Sequence, residues 1–398
     1  MNHKLNAGLV TLLIAYLAFI ILGIPEGLLN VGWPSIRDEF GVGNDTLGVL
    51  LGVAILGYMI ASSSSGRVIA RLGMGRALVV SGIVRVAGLL GYALAPVWGL
   101  MVGFGALNGA GGGVIDAGLN TYVAANYSAR YMNWLHASFG VGATLGPLVM
   151  TGALNATGSW RWGYAAVGVA QVVVIGTIAL TRRQWREAPK TAQAEPAALA
   201  RARDTLRLPV AWLGVALFFM AAGLEVLTAQ WTYTLFTEGR GVATDTAGFW
   251  TSIYWGSFTV GRILAGFIVA RIGSIRLLRI AMTSAVIGAI MIWLNLSNAL
   301  SFAGLALMGF AIAPMFPLMI SLTPGRIGLA HAPNAIGFQV SAAGLGIAIL
   351  PGLAGVLVER MSLEVVGPYI VVAAVLLLVL HEFVLLRERR AQPVTVEA

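Results

Sequence analysis

Twelve runs of predominantly apolar residues follow one another through the chain, at about 9–33, 45–66, 76–95, 98–122, 133–154, 162–181, 209–232, 246–270, 276–295, 299–321, 333–358 and 365–386. A helix of about 20 residues crosses the hydrocarbon of a bilayer, and helices are the only open-ended structure that satisfies its own backbone there. An all-α membrane protein of twelve transmembrane helices is therefore expected. The first run carries Pro25 and Glu26 and lacks a small-residue cleavage site, so it reads as a retained helix and not as a signal peptide.

Composition narrows the function classes. Of 398 residues, 58% are hydrophobic and only 10% are charged, where a soluble domain carries about 25% charge. A cytosolic enzyme, a disordered chain and a nucleic-acid binder are excluded, despite a net charge of +9. The absence of cysteine removes thiolate chemistry, and four scattered histidines are too few for a metal centre. No cofactor is expected.

The basic residues orient the spans. With the N-terminus cytoplasmic, 19 of the 25 lie inside and four outside (Arg37, Arg161, Arg240 and Arg360), while Arg85 and Arg262 fall within spans. That bias fits the positive-inside rule, placing both termini in the cytoplasm and the protein in the cell membrane. The net charge then reflects topology and contact with anionic lipids, not a nucleic-acid partner.

A polar connection at 182–208 divides the chain into an N-terminal bundle, 1–181, and a C-terminal bundle, 209–398, of six spans each. The halves repeat: Gly66-Arg67-Val68-Ile69-Ala70-Arg71-Leu72-Gly73 matches Gly266-Phe267-Ile268-Val269-Ala270-Arg271-Ile272-Gly273, and Arg76 maps to Arg276. Glu26 and Trp33 correspond to Glu225 and Trp231, and Asn133 corresponds to Asn334. A parallel six-plus-six repeat implies two bundles around a central cavity, with alternating access by rocking.

The segment Gly66 to Arg76, echoed at Gly266 to Arg276, resembles the loop motif of the major facilitator superfamily. The resemblance implies a monomer and gating roles for Gly66, Arg71, Gly73, Arg76 and Arg271. The family's usual acid is replaced by Ala70 and Ala270, which weakens the charge latch between helices. Asp116-Ala117-Gly118-Leu119-Asn120, with Asn133-Trp134-Leu135-His136 and Phe139-Gly140, is similar to the fucose-permease-like branch of proton-coupled sugar symporters. In that branch the acid and Asn of the fourth span, and the Asn and polar partner opening the fifth, line the sugar and proton path. Spans one, four, seven and ten then line the cavity.

Only Glu26, Asp116 and Glu225 among the 16 acids fall well inside spans; the other thirteen sit in loops or near span ends. An intramembrane carboxylate is expensive, and desolvation favours its neutral form, so each is a candidate for proton coupling. Glu26 shares a helical face with Asn30 and Trp33, and Asn108, Gly112, Asp116 and Asn120 form a stripe along the fourth span. The bland alternative for Asp116 is a structural salt bridge to Arg85. Glu225 shares a face with Thr228 and Thr232 while Gln230 points elsewhere; it is either functional or a partner of Arg262 or of a water-filled pocket. For Arg262 itself, snorkelling to the interface is the simple reading. His136 could relay protons or make a structural hydrogen bond.

Trp33, Trp231, Tyr254 and Trp255 could stack on a sugar, or belong to the aromatic belts to which Trp160, Trp162, Trp185 and Trp212 are assigned. Asn30, Asn120 and Asn133 are expected in the cavity, and Asn334 and Gln339 either bind hydroxyls or join helices. His381 and Glu382 read as an interfacial pair. Gly111-Gly112-Gly113 lacks a phosphate loop's context.

Two functions follow. The first is a secondary active transporter of a small polar, sugar-like solute, driven by protons. The alternative is a proton-driven exporter of drugs or metabolites, suggested by Gly142-Ala143-Thr144-Leu145-Gly146-Pro147, which resembles the superfamily's glycine-proline motif.

Overall fold

The computed structural model describes residues 2–127, 129–185 and 200–391, with side chains at 8–127, 131, 132, 134–185 and 200–388. Most of the 182–208 connection, 186–199, therefore lies outside the described residues, as does the side chain of Asn133. The helices are α1 (Asn2–Phe40), α2 (Leu47–Leu72), α3 (Met74–Leu94), α4 (Trp98–Asn126), α5 (Ala129–Thr157), α6 (Arg161–Leu180), α7 (Ala202–Leu206), α8 (Pro209–Thr234), α9 (Thr244–Ile272), α10 (Ser274–Leu294), α11 (Asn298–Ile312), α12 (Met315–Ile327), α13 (Ala332–Arg360) and α14 (Val366–Ala391). Twelve spans are long and apolar enough to cross a membrane, and no strand occurs among the described residues. An even number of crossings leaves both ends of the chain on one side, here called the terminal face; the other is the far face.

Packing reproduces the sequence repeat. In the first half α1 packs on α5, α2 on α4 and α3 on α6; in the second, α8 packs on α13, α9 on α11 and α10 on α14. Glycine makes these approaches possible. A Cβ on Gly109 would strike the carbonyl of Ala54, and one on Gly309 the carbonyl of Tyr254, both pairs displaced by the same 200 residues. The turn between α2 and α3 is built on Gly73 (φ +77°), and that between α9 and α10 on Gly273 (φ +80°), a conformation that L side chains rarely adopt.

The tenth span is broken. α11 stops at Ile312, and α12 starts at Met315. Pro317 has no N–H to give the carbonyl of Ala313, four residues earlier, and Pro314 likewise withdraws a donor from the preceding turn. Arg262 of α9 supplies the substitute, its Nε donating to Ala313 O at 3.3 Å. Arg262 therefore turns into the bundle and does not snorkel.

Three further expectations are corrected. Trp160 and Trp185 are buried, Trp160 donating to Glu39 and Trp185 stacked on Tyr122, whereas Trp162 and Trp212 are exposed as belt residues would be. His381 is fully enclosed and not interfacial, with neither ring nitrogen bonded among the described residues. Its neighbour Glu382 pairs with Arg279 of α10 at 2.6 Å.

The α1–α5 contact offers a test. A Cβ on Gly142 would collide with the carbonyl of Ile20, while Gly152 on the same helix has nothing within 4 Å. Gly142→Ala should lower the melting temperature of the purified protein, by the about 1–3 kcal/mol of an overpacked contact. Gly152→Ala should hold or raise it, because alanine is the better helix former.

Candidate functional site

Glu26 sits near the middle of α1. Its side chain is accessible to water although the bundle surrounds it, and it has no ion pair or hydrogen bond among the described residues. That combination marks an open space beside Glu26 inside the bundle. Arg85 of α3 lies nearby but enclosed, 4% exposed, with Nη2 donating to Leu22 O at 2.9 Å and Nε unpartnered. It acts on Glu26 and Asp116 through its field, with no N–O approach within 4 Å to either.

Asp116 is held by two donors. Tyr58 of α2 gives its hydroxyl proton to Oδ2 at 2.6 Å, and Asn120 Nδ2 donates to Oδ1 at 3.0 Å. Asn120 is four residues on, so helical periodicity alone brings the amide over the acid. The stripe on α4 does not share one environment: Gly112 abuts Arg85, and Asn108 packs on α3 at Gly88. His136 of α5 is exposed, stands edge-on to Phe19 (centroids 5.9 Å apart), and lies within electrostatic reach of both Asp116 and Arg262.

In the second half, Glu225 of α8 is half-buried, and Arg262 lies within its field but not within ion-pair distance. The Thr228 and Thr232 hydroxyls, expected beside Glu225, bond the carbonyls of their own helix and are fully buried. Tyr254 donates to the backbone carbonyl of Glu225 at 2.9 Å.

Toward the far face the two halves are joined. Asn30 Nδ2 donates to Gln230 Oε1 at 2.9 Å, Gln230 Nε2 to Leu29 O at 3.2 Å, and Trp255 Nε1 to Asn30 Oδ1 at 2.9 Å. All three side chains are at most 3% exposed. Above this seal lies a vestibule of about 460 Å³, lined by Val31, Ser35, Thr151 and Thr244 among others. Beside it are Arg37–Glu238 at 3.0 Å and Asn155–Asp245 at 2.5 Å, and the segment leading into α2 and the end of α13 are joined by the Asn44 amide on Glu359 at 3.0 Å. Among the described residues, no hydrogen bond joins the two halves nearer the terminal face.

Gln230, expected only to lie off the face of Glu225, is the centre of this seal. Its signal was available, since a glutamine in an apolar span must find a partner; the partner is in the other half. Asn30 belongs to the seal as well. Trp33, Trp231 and Tyr254 are fully enclosed and do not reach the cavity: Trp33 bonds Asn44, and Trp231 bonds Pro351 O at 2.9 Å. Gln339 is buried, accepts from Thr323 at 3.0 Å and lines a void of about 10 Å³ inside the second half. Asn334 donates to Ala200 O at 2.8 Å, and with His331 on Thr205 it ties down the α7 segment. Gly66, Arg71, Gly73, Arg76 and Arg271 lie exposed at the terminal ends of α2, α3 and α9, and the arginines make no ion pair among the described residues.

Two repeated six-span halves around a water-accessible cavity are the architecture of a membrane transporter. Consistently, the Major Facilitator Superfamily model matches residues 15–328 and 240–398, and the chain belongs to that family. It is a multi-pass membrane transporter, not an enzyme. It is 28% identical over 373 residues to the uncharacterized transporter y4wD of Sinorhizobium fredii, covering 92% of this chain and 96% of that one. The glucose/mannose transporter GlcP of Bacillus subtilis is 22% identical, with 87% of each chain covered. The solved D-xylose-proton symporter has the same fold, with a TM-score of 0.69, 18% identity, and coverage of 93% of this chain and 97% of that one.

The seal generates a prediction. Gln230→Ala removes two hydrogen bonds between the halves and leaves the Asn30 amide short of an acceptor. Spin labels at Ser35→Cys and Thr244→Cys, on opposite walls of the vestibule, should show a larger population at long distance in Gln230→Ala. Thr228→Val, which loses a bond only to its own helix, should leave the distribution unchanged.

Proposed function

We propose that this protein is a proton-coupled secondary transporter of a small hydroxylated, sugar-like solute, working by alternating access. The observation that carries the reading is the state of Glu26: a carboxylate at mid-membrane depth, open to water and without a cation held against it. Such a group is stable in the charged form while water reaches it and in the protonated form when the cavity closes. It can therefore load and unload a proton as the halves rock. Asp116 supplies a second acid, its two oxygens held by Tyr58 and Asn120, and Glu225 and His136 face the same space.

The far-side seal, together with the lack of hydrogen bonds between the halves nearer the terminal face and of ion pairs on the loops at Gly66–Arg76 and Gly266–Arg276 among the described residues, supports a conformation open toward the terminal face. The bias of basic residues supports placing that face in the cytoplasm of a cell-membrane protein, which makes this the inward-open state. The glucose, mannose and xylose named for the relative and the structural neighbour support a polyhydroxylated cargo, and Asn120 and Tyr58, both held on Asp116, bring an amide and a hydroxyl to the acid. The glycines of the Gly142–Pro147 segment are occupied in packing α5 on α1, which accounts for that motif without export.

Coupling and translocation are separable by mutation. In proteoliposomes, Glu26→Gln and Asp116→Asn should each lower proton-driven accumulation of the solute to its equilibrium level. Solute counterflow, which needs no gradient, should persist in at least one of them. Accumulation that survives both changes and remains sensitive to a protonophore would refute the assignment of the acids.

A further inference from the structure

The two intramembrane arginines are held in different ways, and the difference bears on the cargo. Arg85 is enclosed and spends Nη2 on the carbonyl of Leu22. Arg262 is half-buried and anchored at two other points: Nε bonds Ala313 O at the break of the tenth span, and the guanidinium lies over the ring of Phe258, 4.5 Å from its centroid. Its Nη1 and Nη2 have no acceptor among the described residues, yet they are not among the atoms sealed from water. The outer edge of a planar fork is thus fixed and left open.

That edge lies at the cavity between the halves. Gly140 of α5 packs against Thr259 of α9, and His136 and Arg262 each lie about one turn closer to the terminal face on these antiparallel helices. α12 also begins at the break that Arg262 braces, so the positive end of a helix axis starts at the same depth. A rigid guanidinium with two free parallel donors matches a carboxylate bidentately, whereas a neutral hydroxyl uses only part of the fork. Glu225 is the acid nearest in effect, with Arg262 and Glu26 the charges acting on it. When Glu225 carries a proton, Arg262 is left as an uncompensated cation.

We propose that Arg262 is the docking point for a carboxylate of the cargo, so that the transported solute is a sugar acid and not a neutral sugar. This rests on the reading of the cavity as a site for a hydroxylated solute and makes that reading specific. One proton entering with one carboxylate moves no net charge, and it explains why a strong cation is kept in a cavity whose other candidates are acids.

The test uses the full-length protein in proteoliposomes, with counterflow of D-glucuronate, its neutral methyl ester and D-glucose. The acid should exchange about tenfold faster than the ester or more, the difference a charge-assisted hydrogen bond makes. Arg262→Gln should abolish that preference, and Arg262→Lys should restore part of it. Melting temperatures of both variants, compared with the wild type, report on the brace at Ala313 separately. Ester and acid exchanging equally in the wild type, or an acid preference that persists in Arg262→Gln, would overturn the proposal. Exchange of glucose without glucuronate would overturn it while leaving the sugar-transport reading intact; exchange of none of the three would overturn both.

Discussion

A carboxylate in the middle of a bilayer requires water, a proton or a cation, and the architecture of this chain follows from how it meets that requirement three times. Glu26 is given water, Asp116 is given two hydrogen-bond donors, and Glu225 is given the distant field of Arg262. None is neutralised by a close ion pair among the described residues. A buried pair locked at contact distance would be inert, because removing either charge strands the other. Charges that feel each other across a wet gap remain free to change state.

The same economy of contacts governs the join between the halves. Within each half, glycines bring backbones together, and these contacts have no reason to change during transport. Between the halves the far side is closed by a small number of hydrogen bonds around Asn30, Gln230 and Trp255, backed farther out by the Arg37–Glu238 ion pair and two amide–carboxylate hydrogen bonds. Such a seal is specific in geometry yet modest in energy, since a hydrogen bond exchanged for another contributes only about 0.5–1.5 kcal/mol. An interface of that kind can open without the bundles unfolding. The missing acid at Ala70 and Ala270 means that the opposite closure must be made by other groups.

Much of this was legible in the sequence. The twelve spans could be read because each is long enough to cross a membrane alone, and the repeat because Gly66–Gly73 and Gly266–Gly273 preserve the same turn. Glu26 and Asp116 stood out because a charge in an apolar run has few bland explanations. The aromatic residues were harder. Trp33, Trp231 and Tyr254 lie on plausible faces of their helices, but periodicity does not say which neighbour covers a face. Gln230 and Asn334 could not be assigned partners for a related reason: Asn30 and Ala200 come from segments whose proximity is set by tertiary packing. The break in the tenth span did have a local signal in Pro314 and Pro317. Reading it required asking which carbonyl each proline leaves without a donor, and that question also points to Arg262.

The central claim is that the acids line an aqueous path reaching the terminal face and closed on the far side. The chain contains no cysteine, so single cysteines can be introduced without background. In vesicles that expose the terminal face, Glu26→Cys and His136→Cys should react with a membrane-impermeant thiosulfonate, while Trp33→Cys, enclosed beside the far-side seal, should stay unreactive until the protein is unfolded. A Glu26→Cys that remains unreactive from the terminal face, or reacts only from the far face, would contradict the claim.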